Sequence, residues 1–213
     1  VKLISIVFIC VLSLLPFAVL ASPRADLYQI AFEHLMDQAP WYQDKDRESP
    51  LEREDRMRKI SQAQVEVSEE FTSTGKFSGT TEELLILLRT TSFWESRHAQ
   101  HVHAGECDRK TECDRGTSKS IYQLKLLTTL TTREMWEKSE GLGYENTKIA
   151  TVIAATYLSH SWSKCGGRKN ILQVINNYGR GKCNTAFPSA EARKSYFEQE
   201  LQDLSAMLRS EDS

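Results

Sequence analysis

Glycine and proline are scarce, at 10 and 5 of 213 residues, which excludes a collagen-like chain and Gly/Pro-rich low complexity. Charge of either sign is not in excess: 27 Lys and Arg stand against 29 Asp and Glu, a formal net charge of −2. That balance argues against nucleic acid held by a bulk positive field. No repeat of fixed period occurs, no Cys-x-x-Cys pair is present, and no segment alternates apolar and polar residues as a half-buried strand does. What remains is ordinary globular material. Hydrophobic residues make up 40% and charged residues 26%, enough apolar surface to bury a core in one domain with appended helices.

One apolar run, Leu3 to Ala21, follows Lys2 and ends Ala18-Val19-Leu20-Ala21-Ser22. Small residues at Ala21 and Val19 suit the −1 and −3 positions of a signal-peptidase site, so residues 1–21 read as an export signal, and the protein as periplasmic or secreted. Left uncleaved, the run is nearly long enough to anchor in a membrane, which is the single membrane contact expected. Cleavage removes Cys10 and leaves Cys107, Cys113, Cys165 and Cys183. An even number of cysteines behind an export signal reads as two disulfides, with three connectivities open. Pairing Cys107 with Cys113 and Cys165 with Cys183 closes two short loops and is the preferred arrangement.

Residues 22–78 form a charged segment with short helical patterns. Leu27, Ile30, Ala31, His34 and Leu35 share a helical face, whereas 44–59 is so dense in both signs that it reads as a solvated helix or a partly mobile arm. Residues 79–186 carry the richest pattern. Thr80 and Glu83 make a capping box, and Leu84 to Leu88 is apolar on every face, the mark of a buried helix reaching Trp94 or Glu95. Residues 98–119 lack periodicity and read as a disulfide-tied loop, with a small hairpin near 108–125. Helices are expected over 132–139, 146–164 and 171–178, and 187–213 reads as a last amphipathic helix capped by Ser189.

Glu95 follows Phe93-Trp94 at the end of the apolar helix. An apolar, aromatic setting penalises an ionised carboxylate, which is the environment a general acid needs. Glu95-Ser96-Arg97 resembles the Glu-Ser segment of soluble lytic transglycosylases and goose-type lysozymes. Asp114-Arg115-Gly116-Thr117-Ser118-Lys119-Ser120-Ile121-Tyr122-Gln123 is similar to the goose-type loop Asp-Arg-Gly-x-Gly-x-Gly-Leu-Met-Gln. Ala155-Thr156-Tyr157-Leu158, followed by Ile175-Asn176-Asn177-Tyr178-Gly179-Arg180-Gly181, resembles Ala-x-Tyr-Leu followed by Ala-Tyr-Asn-Ala-Gly. The three segments occur in the family's order across about residues 80–183. Ser118, Ser120, Ile121-Tyr122 and Gly179-Arg180 depart from the motifs.

The resemblance implies a mainly α, lysozyme-like fold of the transglycosylase type with extra N- and C-terminal helices. It implies a monomeric enzyme acting on peptidoglycan glycan strands, with no cofactor and no metal. Glu95 would protonate the glycosidic oxygen between N-acetylmuramic acid and N-acetylglucosamine, then take a proton from the muramyl 6-hydroxyl to leave a 1,6-anhydro end. A hydrolytic version would add Asp114 or Asp108 to position water. Ser118, Ser120, Gln123 and Tyr178 would bind substrate. Two rivals accompany this reading. One is a non-catalytic glycan-binding protein on the same fold. The other is a zinc module built from His98, His101, His103, Cys107 and Cys113, which the oxidation expected of exported thiols disfavours.

Overall fold

The computed structural model describes residues 23–39, 44–107, 113–127, 129–184 and 188–211. The signal-peptide reading, Cys10 and Asp108 therefore fall outside the described residues. The helices, in chain order, are α1 (Pro23–Gln38), α2 (Pro50–Ser73), α3 (Thr81–Ser96), α4 (Gln100–Ala104), the single turn α5 (Cys113–Gly116), α6 (Arg133–Lys138), α7 (Tyr144–Cys165), α8 (Ile171–Arg180) and α9 (Ala190–Glu211). The protein is mainly helical, and among the described residues no strand forms. The hairpin expected near 108–125 reduces to one antiparallel bridge between Lys119 and Leu124. No helix among the described residues is long and apolar enough to cross a membrane.

Local sequence explains where the long helices start. Thr80 accepts from the Glu83 amide while the Glu83 carboxylate accepts from the Thr80 amide, closing the capping box that opens α3. Ser49 and Glu52 repeat the device at α2, with Pro50 at the first helical position where a missing N–H costs nothing. Gly166 and Gly181, both at positive φ, end α7 and α8.

Leu84 through Leu88 are all at most 1% exposed, as an all-round apolar helix requires, and each such side chain contributes about 1.5–3 kcal/mol of burial. α7 is the hub, packed by α2, α3, α6 and α8. Its Ala150, Ile153, Ala154, Ala155 and Leu158 are buried, and so is Trp162, whose ring lies 4.7 Å from Phe77. The same core includes Leu27, Ile30 and Leu35 of α1, Met57 and Ile60 of α2, and Phe197 and Leu204 of α9.

The reading of 44–59 as a solvated helix or a partly mobile arm holds for one face only. Leu51, Glu52 and Asp55 of α2 are exposed, whereas its other face packs inward and Arg56 is 3% exposed. It tolerates burial because every direction of its guanidinium meets an oxygen. Nε and Nη2 hold both oxygens of Glu48 at 2.8 and 2.5 Å, and Nη1 donates to the His98 carbonyl at 2.6 Å. Arg89, fully buried, similarly ties α3 to His34 and the Ala31 carbonyl of α1 and faces Glu200 of α9. Cys107 pairs with Cys113 and Cys165 with Cys183, their Cα atoms 6.0 and 5.6 Å apart. The second bond returns the chain from the end of α8 to the end of α7. Disulfides are consistent with an oxidising compartment.

Candidate active site

Glu95, Asp114, Gln123 and Tyr178 come from three separate stretches of chain, and all four line one cavity of about 590 Å³. Its floor and walls are the end of α3, residues 123–127 with Thr129 and Leu130, the last two turns of α7 and residues 177–181 at the end of α8.

Glu95 sits in the last turn of α3. Its surroundings are not the purely apolar ones expected from Phe93 and Trp94. Arg193 of α9 donates from Nη1 to Glu95 Oε1 at 2.5 Å, with the two side chains 13% and 21% exposed. Arg193 is itself steadied by Ser189 Oγ at 3.3 Å. The aromatic pair instead receives α9: Phe93 stacks on Tyr196 with centroids 5.0 Å apart, and Arg97 lies over both Phe93 and Trp94. One carboxylate oxygen of Glu95, Oε1, is thus held by Arg193.

Directly after Glu95 the chain reverses through two consecutive left-handed residues, Arg97 at φ 54° and His98 at φ 56°. Such residues cost roughly 1–2 kcal/mol each. The reversal is fastened from below by Arg56 on the His98 carbonyl, by Asp44 Oδ1 accepting from the Gln100 amide at 3.0 Å, and by the His98 ring against Ser92 Oγ at 2.8 Å. Sequence reading found no chemistry in 44–59, yet Asp44, Glu48 and Arg56 set the backbone that follows the candidate acid.

The Tyr178 hydroxyl donates to the Tyr122 carbonyl at 2.9 Å. Burial, and next the charge of Glu95, hold its phenol well above the ordinary tyrosine value. It stays protonated, and with its hydrogen spent on Tyr122 its oxygen remains an acceptor. Gln123 takes a left-handed φ of 49° and spends its amide nitrogen on the Ser120 carbonyl at 3.1 Å and on Cys113 Sγ. Tyr157, quoted in the Ala-x-Tyr-Leu match but not among the expected site residues, also lines the cavity. It pins the 125–127 loop by donating to the Lys125 carbonyl at 2.8 Å.

Asp114 is the exposed member. It accepts from Lys125 Nζ at 2.8 Å and Ser118 Oγ at 3.0 Å, and these two donors, Lys125 first, hold its carboxyl below the usual aspartate range. Ser118 and Ser120 do not reach the cavity. They are 2% and 1% exposed, and their hydroxyls serve the loop: Ser118 on Asp114, Ser120 receiving the Tyr122 amide at 3.3 Å. Ser120 adopts φ 61°, a conformation that favours the glycine of the motif it resembles.

The zinc alternative is not supported by the placement of its side chains. His98 and His103 are at most 1% exposed, and His103 meets Thr147 Oγ1 at 2.9 Å. The sulfurs of Cys107 and Cys113 are joined to each other. Among the described residues, no three His, Cys, Asp or Glu side chains are grouped to hold a metal ion.

Arg193 escaped sequence reading because it lies 98 residues from Glu95 and no local pattern marks such a pair. No family model, curated protein or solved structure matches this chain. The resemblance to transglycosylases and goose-type lysozymes rests on its own motif residues.

Proposed function

We propose that this is a peptidoglycan-cleaving enzyme on a lysozyme-like fold, a lytic transglycosylase with Glu95 as its single acid and base. The observation that carries the reading is the convergence of Glu95, Gln123 and Tyr178 from separate motif-like segments onto one cavity. Glu95 Oε2 gives its proton to the glycosidic oxygen, the bond to the muramyl anomeric carbon breaks, and N-acetylglucosamine departs with a free 4-hydroxyl. The substrate's acetamido group supports the developing cation. The muramyl 6-hydroxyl then attacks the anomeric carbon and returns its proton to Glu95, so no water is consumed. Arg193 positions the carboxylate throughout.

The hydrolytic alternative, with Asp114 as base, is served less well. Asp114 lines the same cavity, but Lys125 and Ser118 stabilise its anion and so weaken it as a base. The non-catalytic glycan-binding alternative predicts that sacculi are retained and never cut.

Glu95→Gln preserves the acceptor for Arg193 and removes the transferable proton. General acid–base catalysis supplies about 10²–10⁴-fold, so release of muropeptides from purified sacculi should fall below detection while the protein still binds them. Mass spectrometry of the wild-type products reads the mechanism: anhydro ends for a transglycosylase, reducing ends for a hydrolase. Wild-type release of nothing, or Glu95→Gln release at the wild-type rate, rejects the assignment.

A further inference from the structure

Gln64 of α2 does not line the cavity, yet it touches both chain segments that shape it. Its amide nitrogen donates to Ser92 Oγ of α3 at 3.2 Å and to the Tyr122 hydroxyl at 3.1 Å, and all three side chains are fully buried. Each contact leads on toward the cleft. Thr151 gives its hydroxyl hydrogen to the Thr147 carbonyl at 2.8 Å, so it accepts from Tyr122 at 3.2 Å, and Tyr122 accepts from Gln64. Burial pushes the Tyr122 phenol up to about 12, which keeps that hydrogen in place. The carbonyl of the same Tyr122 takes the Tyr178 hydroxyl, and the left-handed Gln123 follows it. In the other direction, Ser92 Oγ donates to the Arg89 carbonyl at 3.0 Å and meets Nε2 of His98, the second left-handed residue after Glu95, at 2.8 Å. Among the described residues the buried carbonyl oxygen of Gln64 has no partner. An unpaired buried polar atom costs stability, so packing alone would favour an apolar side chain at this position.

We propose that Gln64 is a positioning residue: its one amide nitrogen braces the chain reversal behind Glu95 against the Tyr122–Gln123 segment, and so holds the acid and the Tyr178 hydroxyl in register across the cleft. This rests on the peptidoglycan reading for the chemistry being positioned; the brace itself is independent of it. The two hydrogens of one planar amide serve one segment each. A shift of either segment therefore costs a bond to the other, and the cleft keeps one geometry at the expense of an unpaired oxygen in the core.

Gln64→Met removes the whole brace, and Tyr122→Phe removes only its Tyr122 arm. Gln64→Met strands no partner, because Tyr122 keeps Thr151 and Ser92 keeps Arg89 and His98. Its melting temperature should stay within about 3 °C of wild type. Muropeptide release from excess sacculi should nevertheless fall roughly tenfold in each variant, as misplacement of reacting groups produces, with retention on sacculi unchanged. The double variant should be no slower than the slower single one, since one brace is lost once. Hydrogen exchange, which needs no substrate, should quicken at both 97–103 and 120–124 in Gln64→Met. A wild-type protein that releases nothing rejects the enzymatic reading, and exchange still decides the brace: wild-type protection of either segment in Gln64→Met overturns the proposal. With an active wild type, so does undiminished release by Gln64→Met, or losses that multiply in the double variant. A melting temperature lowered by more than about 10 °C in Gln64→Met overturns it as well, because Gln64 then serves packing.

Discussion

Two loops border the cleft, and both force residues with side chains into the left-handed region. Arg97 and His98 do so after α3; Cys113, Asp114, Arg115, Ser120 and Gln123 do so around α5. They are restrained by opposite means. The first is locked from within by buried charge, with Arg56, Glu48 and Asp44 all at most 8% exposed. The second is held at its edge by a covalent bond, one β-bridge and the solvent-facing Asp114–Lys125 pair, whose side chains are 57% and 63% exposed. Buried ions give rigidity that fails as a unit, because each depends on the others for its solvation. Surface ties and a disulfide give rigidity that fails in steps. The rigid loop directly follows the candidate acid, and the stepwise one carries Gln123.

The largest effect should come from breaking the first loop's lock. Arg56→Met leaves Glu48 and Asp44 buried without their cation, and a broken buried pair typically costs about 3–5 kcal/mol. Urea unfolding should show a loss of that size. A loss below about 1 kcal/mol would mean the two loops do not differ in kind.

Acid should separate the loops next. His103 is driven down to about 3 by burial, then by Arg56 and Lys59. Burial, with Arg56, Arg89, His103 and Arg53 as neighbours, drives His98 well down too. Both are neutral when folded, while the unfolded chain takes up protons near 6.5. Their contribution is therefore complete above 6.5 and is lost as pH falls from there toward 3. For His103 this amounts to about 2 kcal/mol by pH 5. Asp114, held below its usual 3.8, keeps its contribution until pH falls below that value. Hydrogen exchange at pH 5 should thus show 97–103 opening before 113–124; the reverse order contradicts the comparison.

Removing the second loop's covalent tie ranks third. Cys107→Ser with Cys113→Ser opens a loop of six-residue separation, worth about 2 kcal/mol by chain entropy. Thermal melts should show that loss with 97–103 still protected.

The smallest effect is expected at Asp114→Asn, which weakens an exposed pair worth less than about 1 kcal/mol. Most muropeptide release should survive it. Near-complete loss in a folded variant would favour the hydrolytic mechanism.

How legible each loop was follows the same division. The boundaries of α3, the burial of Leu84 to Leu88 and the Cys107–Cys113 pairing are local properties, and capping residues, periodicity and short spacing announce them. Burial of Arg56 is non-local. A charged residue reads as solvated until its partners at 44, 48 and 98 are folded against it, and no periodicity encodes that. Ser49-Pro50-Leu51-Glu52 did announce a helix start with the same chemistry as Thr80 to Glu83, and Met57, Ile60 and Phe71 gave it an inward face. Dense charge around them masked the signal. Ser118 and Ser120 fail in the other direction: the motif placed the loop, but loop position did not say that their hydroxyls turn inward.

The contact between Arg193 and Glu95 carries a consequence for biosynthesis. Ribosomes make the chain from its N-terminus at about 5–20 residues per second, and Arg193 is added 98 residues after Glu95. Until α9 has emerged and docked through Tyr196 on Phe93, the carboxylate lacks its positioning partner. The site is therefore finished only after α9 has been made, and a nascent or shortened product ending before α9 would hold every motif residue of the cleft while lacking the partner that positions Glu95.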